Sequence, residues 1–189
     1  MPNLYLSLIH NPVYNKNNKV ITTTVTNLDL HDIARASRTY NINKYYIVNH
    51  LKSQQELVKK MQEYWGSDFG AKYNPDRQEA FSILDIKSNL DDVIKEIKDE
   101  TGKTPVLVST DARKYENTIG YQELRDKIHN EDNPYLMLLG TGWGLTEEMM
   151  KSVDYILEPI YGPGKYNHLS VRSAASIILD RLLGETWWE

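Results

Sequence analysis

The sequence reads LMLLGTGWGLTEEMM at 136–150, YILEPIYGPGKYNHLS at 155–170 and VRSAASIILDRLL at 171–183, and these three segments contain the clearest strand, loop and helix patterns of the chain. Its apolar run 136–139 is long enough for a buried strand. Gly140, Gly142 and Gly144 follow with only two residues between them. Glycine lets the backbone turn sharply and lets a ligand approach the main chain. We therefore expect a strand that opens into a ligand-binding loop.

A second strand-to-loop unit follows the first. Thr146 predicts the N-cap of a short helix, because the two glutamates after it suit the positive end of a helix dipole. Residues 155–157 predict a short strand that enters the Gly-Pro-Gly loop 162–164. The apolar residues of 171–183 recur at helical spacing. Two loops rich in glycine and small residues thus come close together, which favours a small-molecule cradle.

The same stretches carry a family resemblance. LLGTGWGLTEE at 138–148 and EPIYGPGKYNHLSVRSAASIIL at 158–179 resemble the second and third motifs of the SPOUT RNA methyltransferases. Further stretches resemble the stand-alone bacterial family described as SAM-dependent RNA methyltransferase: HNPVYNK, ITTTVTNLDLHDIARASRTY, YYIVNHLKSQQELV and YNPDR. The resemblance covers nearly the whole chain. It implies one SPOUT-like domain over residues 1–189, with a C-terminal trefoil knot and S-adenosylmethionine as cofactor.

The resemblance also implies which residues contact the cofactor. They lie in three loops, after predicted strands: Thr110, Leu139, Gly140, Thr141, Gly142, Trp143, Ile160, Gly162, Asn167, His168, Leu169 and Ser170. The sequence departs from the SpoU-like pattern at two points. The glutamate usual in the second motif is absent from 140–144, and His168 stands where the third motif usually has asparagine.

Length and composition exclude several classes of protein. A chain of 189 residues is most simply one domain with a substantial core. The absence of cysteine excludes disulfide scaffolds, cysteine nucleophiles and thiolate metal sites. No apolar run approaches the 18 or so residues of a membrane span, and no leader segment is visible. We therefore expect a cytoplasmic protein that does not enter a membrane.

The charge is unevenly distributed along the chain. The net charge is −4, yet residues 1–60 contain eight Lys or Arg and only three acidic residues. That segment is therefore net positive, which can mark a surface facing a polyanion. Alternatively, Lys52, Lys59 and Lys60 simply occupy a solvated helix face.

Strand and helix patterns alternate almost throughout, which predicts an α/β fold with a mostly parallel sheet and helices on both faces. Further strands are expected at 3–10, 20–25, 44–48, 81–86 and 104–109. Helices are expected after a cap at Asn27 or Asp29, after a capping box at 53–56, and at 89–100 and 121–129. Residues 66–77, with two glycines and a proline, predict a loop or small insertion.

Arg35 and Arg38 lie three apart on one predicted helix, so their side chains share a face. ARASRTYNI matches the end of the first SpoU-like motif with Arg35 at the arginine. The match implies that Arg35 is catalytic, binding a phosphate or helping to activate the RNA nucleophile near the opening of the cradle. Arg38 is a candidate substrate contact. The alternative for Arg35 is a surface ion pair with Asp29 or Asp32.

His10 and His31 are the other candidate RNA contacts. A histidine titrates near neutral pH and can relay a proton or contact phosphate, although structural roles are more common. Two histidines with Asp29 or Asp32 could ligate a metal, but the sequence has no HExxH motif and no i, i+4 histidine pair. We therefore expect no metal site. Trp143, between two glycines, either stacks on a base above the cradle or plugs the core beneath it.

The leading hypothesis is an S-adenosylmethionine-dependent methyltransferase acting on RNA, either tRNA or rRNA. The alternative is a module of the same fold that binds RNA or cofactor without transferring a methyl group. A nucleotide-binding hydrolase is disfavoured, because the P-loop and the G-x-S-x-G elbow are absent. The resemblance to SPOUT domains also implies a dimer with sites between the subunits. The apolar helix 171–183, together with Trp187 and Trp188, predicts a homodimer as well.

Overall fold

The computed structural model describes residues 2–185, so the predicted contact surface at Trp187 and Trp188 lies outside the described residues. The strands are β1 (Leu4–Ile9), β2 (Val13–Tyr14), β3 (Val20–Ile21), β4 (Tyr45–Val48), β5 (Leu84–Lys87), β6 (Val106–Thr110), β7 (Thr118–Ile119), β8 (Tyr135–Gly140) and β9 (Tyr155–Leu157). The helices are α1 (Asn27–Thr39), α2 (Lys52–Gly66), α3 (Asp68–Tyr73), α4 (Pro75–Phe81), α5 (Leu90–Thr101), α6 (Tyr121–Asn130), α7 (Glu147–Ser152) and α8 (Val171–Leu183).

Seven strands form one sheet in the order β5-β4-β1-β8-β6-β9-β7. Every pairing within it is parallel. The remaining two strands, β2 and β3, form a separate antiparallel hairpin. The predicted α/β fold with a parallel sheet is therefore confirmed. Since all strands run the same way, their carboxyl ends meet at one edge, where α/β proteins bind ligands.

Side chains of the central strands alternate between two hydrophobic clusters, because successive residues of a strand point to opposite faces. Leu4, Leu6 and Leu8 of β1 join one cluster with α1, α2, α4, α6 and α8. Tyr5 and Ile9 join the other cluster with α5 and α7. Helices on both faces of the sheet are thus confirmed. In the described part of the chain, none of the helices has the length and apolar character needed to cross a membrane.

The predicted strand 20–25 is wrong beyond its first two residues. Only Val20 and Ile21 pair as a strand, in the hairpin with β2. The following threonines bond elsewhere: the amide of Thr23 donates to the His10 carbonyl at 2.9 Å, and its carbonyl accepts from Asn49. These bonds lead the chain across the sheet edge instead of along it.

Several helix boundaries also differ from the predictions. Thr26, not Asn27 or Asp29, is the N-cap of α1, because its hydroxyl accepts from the Asp29 amide. The expected capping box at 53–56 does not form, since α2 begins at Lys52 without a side-chain cap. The predicted loop 66–77 consists largely of the helices α3 and α4, capped by Ser67 and Asn74. The predicted strand 81–86 is wrong at its start, where Phe81 ends α4.

Candidate active site

A cavity of about 780 Å³ opens at the carboxyl ends of the central strands. His10 follows β1, Thr110 ends β6, Gly140 ends β8 and Glu158 follows β9, and all four residues line the cavity. The first turns of α1 and α8 close it from the side, through Asp29 and residues of 170–174. The volume lies within the range of small-molecule and cofactor sites.

Most of the predicted cofactor residues meet at this cavity. Eleven of the twelve line it: Thr110, Leu139, Gly140, Thr141, Gly142, Trp143, Ile160, Asn167, His168, Leu169 and Ser170. Gly162 does not, because the 162–164 loop extends past the cavity into open space. Two side-chain bonds hold these segments: Thr110 at the end of β6 donates to the Leu138 carbonyl of β8 at 3.1 Å, and Asn167 donates to the Ala112 carbonyl of the loop after β6 at 2.6 Å.

The glycine loop is held by the β2–β3 hairpin. The Trp143 amide donates to the Tyr14 carbonyl at 2.9 Å, and the Tyr14 amide donates to the Gly144 carbonyl at 3.0 Å. Gly142 has φ +62°, and a Cβ there would lie 2.8 Å from the Tyr14 carbonyl oxygen. Trp143 is 63% exposed, so it stands above the loop and is not a core plug. The loop therefore presents its backbone and one aromatic ring to the cavity.

A chain of hydrogen bonds fixes the tautomer of His10. The Thr141 hydroxyl donates to the Ile9 carbonyl at 2.9 Å, so Thr23 donates to Thr141 at 2.6 Å. Thr23 then accepts from Nδ1–H of His10 at 2.8 Å, and Nε2 is left as the acceptor. Burial lowers the pKa of His10 from 6.5 to about 4, which keeps the ring neutral at pH 7. Nε2 is buried without a hydrogen-bond partner among the described residues.

Three carboxylates line the cavity, although none of them is predicted from the sequence as a residue of the cofactor site. Asp29 is paired with Arg172, and Asp111 accepts from the Arg113 guanidinium and from the Tyr115 hydroxyl. Glu158 accepts from the Tyr121 amide at 3.2 Å but lies in no ion pair within residues 2–185. The signal was available for two of them, since Asp111 and Glu158 come directly after strands that end at the ligand-binding edge.

His31 lies away from the cavity, on α1. Its ring packs between Trp65, at 5.5 Å between centroids, and Phe81, at 4.6 Å. Burial, and then the positive charges of Arg77 and Arg35, lower the pKa of His31. Its ring therefore belongs to an aromatic cluster between α1, α2 and α4.

Arg35 and Arg38 also lie outside the cavity of their own chain. Arg38 is held at 2.7 Å by Glu79 of α4. Arg35 is exposed, and within residues 2–185 it forms no ion pair, so the alternative of a surface pair with Asp29 or Asp32 is wrong. The expected position of Arg35 at the cavity opening is wrong for the single chain, because the N-terminal end of α1 faces the cavity and Arg35 lies further along the helix.

The described residues contain no cluster of side chains suited to bind a metal ion. Among the described residues, no group of three or more His, Cys, Asp or Glu side chains is arranged to hold an ion. Lys52, Lys59 and Lys60 are exposed on α2, as the solvated-face alternative predicts. The polar side chains that line the cavity carry hydroxyls, two amides, two imidazoles, three carboxylates and two guanidinium groups.

Comparison with known proteins agrees with this geometry. An uncharacterized protein of Aquifex aeolicus is 48% identical over 95% of this chain and 88% of its own length. A protein of Oleidesulfovibrio alaskensis named tRNA (guanine-N(1)-)-methyltransferase is 39% identical over 97% of this chain, which spans 42% of that relative.

A solved structure with the same fold is that of the SpoU methyltransferase AviRb from Streptomyces viridochromogenes in complex with the cofactor AdoMet. It superposes with a TM-score of 0.59 at 16% identity, covering 97% of this chain and 58% of that one. At such an identity the likeness shows the fold alone, which is SPOUT-like. Residues 3–184 match the family described as SAM-dependent RNA methyltransferase. The chain therefore belongs to that family, as an enzyme that takes S-adenosylmethionine as cofactor and RNA as methyl acceptor.

Proposed function

We propose that S-adenosylmethionine binds in the cavity at the carboxyl ends of β1, β6, β8 and β9, against the main chain of 139–143, 160 and 167–170. The support is the convergence of these loops on one cavity of about 780 Å³. Gly142 supplies a backbone conformation that other residues rarely adopt, and Gly140 lets Leu145 pack closely against the loop. The residues present fit a cofactor recognised mainly through backbone groups.

The charge of the cavity also fits this cofactor. Bound there, S-adenosylmethionine supplies a methyl carbon activated by a positively charged sulfonium. Asp29 and Asp111 are neutralised by arginines, but Glu158 has no cationic partner within residues 2–185. A partly buried carboxylate without a cation favours a positively charged ligand. We assign Glu158 the role of stabilising that charge.

His10 is suited to accept a hydrogen bond from a donor group of the bound ligands. Its neutral ring keeps Nε2 as an acceptor, and Thr23 holds the other nitrogen. A buried acceptor without a partner costs the protein free energy, which a ligand donor would recover. The enzyme's remaining task is to align the RNA nucleophile with the methyl carbon and to exclude water.

The proposed fold includes a trefoil knot at the C-terminus. The chain leaves β9 and passes the loop after β6, where Asn167 bonds Ala112. It then returns as α8, which packs on α1 and α6. The contact of this segment with the loop after β6 is the support for the knot. We also propose that residues 1–189 act as one SPOUT-like methyltransferase domain in the cytoplasm, which agrees with the continuous seven-stranded sheet and the absence of cysteine.

The proposed active form is a homodimer through the surface around α8, with sites between subunits. Support comes from Arg35, which is exposed and lacks an ion pair in residues 2–185, yet matches the arginine of the first SpoU-like motif. We propose that Arg35 of one copy completes the cavity of the other and binds phosphate or activates the RNA nucleophile there. Arginine suits this role because its guanidinium holds phosphate bidentately.

The proposed RNA is tRNA. The support is the name of the Oleidesulfovibrio alaskensis relative, a tRNA methyltransferase, although this chain spans less than half of it. Mass spectrometry of the modified nucleosides in tRNA from cells with and without the protein tests this choice. An unchanged tRNA profile with a lost methyl group in rRNA would contradict it.

Isothermal titration with S-adenosylmethionine tests the cofactor site. Ala174 lines the cavity, so Ala174→Phe fills part of its volume and should abolish detectable binding. Lys98→Phe adds the same ring to an exposed position of α5, on the opposite face of the sheet, and should bind like the wild type. Circular dichroism verifies folding of both. Undiminished binding by folded Ala174→Phe would place the cofactor elsewhere.

Mixing two inactive variants tests the shared site. Arg35→Ala keeps its cavity, and Ala174→Phe keeps its Arg35. When the two variants assort randomly, each mixed dimer has one complete site and one inactive site. The mixture should therefore show roughly a quarter of wild-type methylation. If Arg35 acts on its own chain, no mixed dimer has a complete site and no activity returns. Arg35→Lys should recover only part of the activity that Arg35→Ala loses.

A further inference from the structure

Three exposed aromatic side chains form a continuous surface at α2 and α3. Tyr64 is 49% exposed, Phe69 64% and Tyr73 71%. Phe69 and Tyr73 are stacked, with ring centroids 6.2 Å apart and an interplanar angle of 8°, and Tyr64 lies 6.1 Å from Phe69. We call these three residues the aromatic platform. It lies outside the cavity, since none of the three lines it.

The platform rests on a firm base. Trp65, beneath Tyr64, is 7% exposed and packs with Phe81 of α4. Gly70 closes the contact between α3 and α2, because a Cβ there would collide with the Tyr64 carbonyl. Ser67 caps α3, its hydroxyl accepting from the Gly70 amide at 3.1 Å. The exposed rings are therefore held in place and not displayed on a free loop.

Two cations lie beside the platform. Arg77 lies over the Trp65 ring, 4.5 Å from its centroid, and Lys72 is exposed on α3 between Phe69 and Tyr73. Lys72 and Arg77 form no ion pair with a carboxylate of residues 2–185. Asp68 and Asp76 are also present, in the first turns of α3 and α4, where carboxylates stabilise helices.

We propose that the aromatic platform binds unpaired nucleotides of the RNA substrate, with bases stacked on Phe69 and Tyr73 and phosphates held by Lys72 and Arg77. Stacked aromatic rings beside cations are the means by which proteins bind single-stranded nucleic acid. The inference rests on membership in an RNA methyltransferase family and does not depend on the proposed cofactor contacts.

A second copy of this chain is the competing occupant, and the charges disfavour it. Around a two-fold axis the same patch faces itself, so the cations of one copy would approach those of the other. Lysine in particular is depleted from protein interfaces. A polyanion instead satisfies both cations at once.

Fluorescence anisotropy with a short labelled oligouridylate, and with an RNA duplex of the same length, tests the proposal. Phe69→Ala with Tyr73→Ala should weaken oligouridylate binding about tenfold or more. A variant with Phe69→Trp and Tyr73→Phe should bind oligouridylate like the wild type, because both new residues keep an aromatic ring that can stack on a base. Lys95→Ala, a cation on the opposite face of the sheet, is the matched control and should leave binding unchanged. Wild-type protein should bind the single strand more tightly than the duplex.

Two further measurements separate the outcomes. Calorimetry should give the double alanine variant wild-type affinity for S-adenosylmethionine, so a failure of the platform is distinguishable from a failure of the cofactor site. Sedimentation should give it the wild-type mass. Unchanged oligouridylate affinity in the double variant would overturn the proposal. It would also be overturned if the double variant no longer formed dimers and its RNA binding fell only as much as the dimer fraction.

Discussion

The guanidinium of Arg172 lies 2.9 Å from a carboxylate oxygen of Asp29 and joins the first turn of α8 to the first turn of α1. Asp29 is nearly buried, and its other oxygen accepts from the Thr26 hydroxyl at 2.6 Å. Arg172 also reaches Asp32 at 3.3 Å. The pair lies at the cavity, so it fixes the helix ends that form one wall of the site.

Arg172→Ala should lower the free energy of unfolding by about 1–3 kcal/mol, because it leaves the buried Asp29 carboxylate without a cation. The loss stays below the ~3–5 kcal/mol of a fully buried pair because the Arg172 side chain is 31% exposed. Urea unfolding measures the change. Arg38→Ala, which breaks the exposed pair with Glu79, is the matched control and should cost about 0–1 kcal/mol. Equal losses in the two variants would argue against a structural role for the buried pair.

His10 should make the fold sensitive to acid. Its pKa is lowered from 6.5 to about 4 in the folded protein, so between those values the unfolded chain binds a proton that the folded chain does not. The contribution is fully present above pH 6.5 and is lost as the pH falls towards 4, by roughly 3 kcal/mol. His10→Asn removes this titration. Denaturant unfolding from pH 7 to pH 4 should show a smaller acid-dependent loss in the variant, and identical slopes would count against the assignment.

Gly142→Ala should damage the glycine loop. Its φ of +62° is unfavourable for alanine, and the new Cβ would meet the Tyr14 carbonyl oxygen. We expect a lower melting temperature and a cofactor affinity reduced at least tenfold by calorimetry. Gly162→Ala is the control, since nothing lies within 4 Å of its Cβ position. It should melt and bind like the wild type, and tight binding by Gly142→Ala would remove this loop from the cofactor site.

Glu158→Gln should distinguish the charged cofactor from its neutral product. The amide oxygen can still accept from the Tyr121 amide, so the local fold is kept. Affinity for S-adenosylmethionine should fall several-fold more than affinity for S-adenosylhomocysteine, which lacks the positive sulfur. Titration calorimetry with both ligands measures the difference. An equal effect on the two affinities would show that Glu158 does not act through charge.

The sheet and the cofactor loops could be predicted because their signals are local. The run 136–139 is apolar throughout and buried in the middle of the sheet, and the glycines after it mark where the backbone must turn. Thr146 caps its helix as expected, because capping depends on neighbouring residues alone.

Features formed by distant residues could not be predicted in this way. The threonines after Ile21 leave the strand conformation because their partners are His10 and Asn49, which no local pattern reveals. The pair of Asp29 and Arg172 joins residues 143 positions apart. Gly70 suggested a loop, but it serves close packing of two helices instead of a turn.

Transfer of labelled methyl groups from S-adenosylmethionine to RNA extracted from cells that lack this protein tests whether this cavity performs methyl transfer. The wild-type enzyme should label the RNA, while folded Ala174→Phe, whose cavity is filled, should not, and Lys98→Phe should match the wild type. Wild-type labelling by folded Ala174→Phe, or no labelling by the wild-type enzyme, would contradict the assignment of methyl transfer to this cavity.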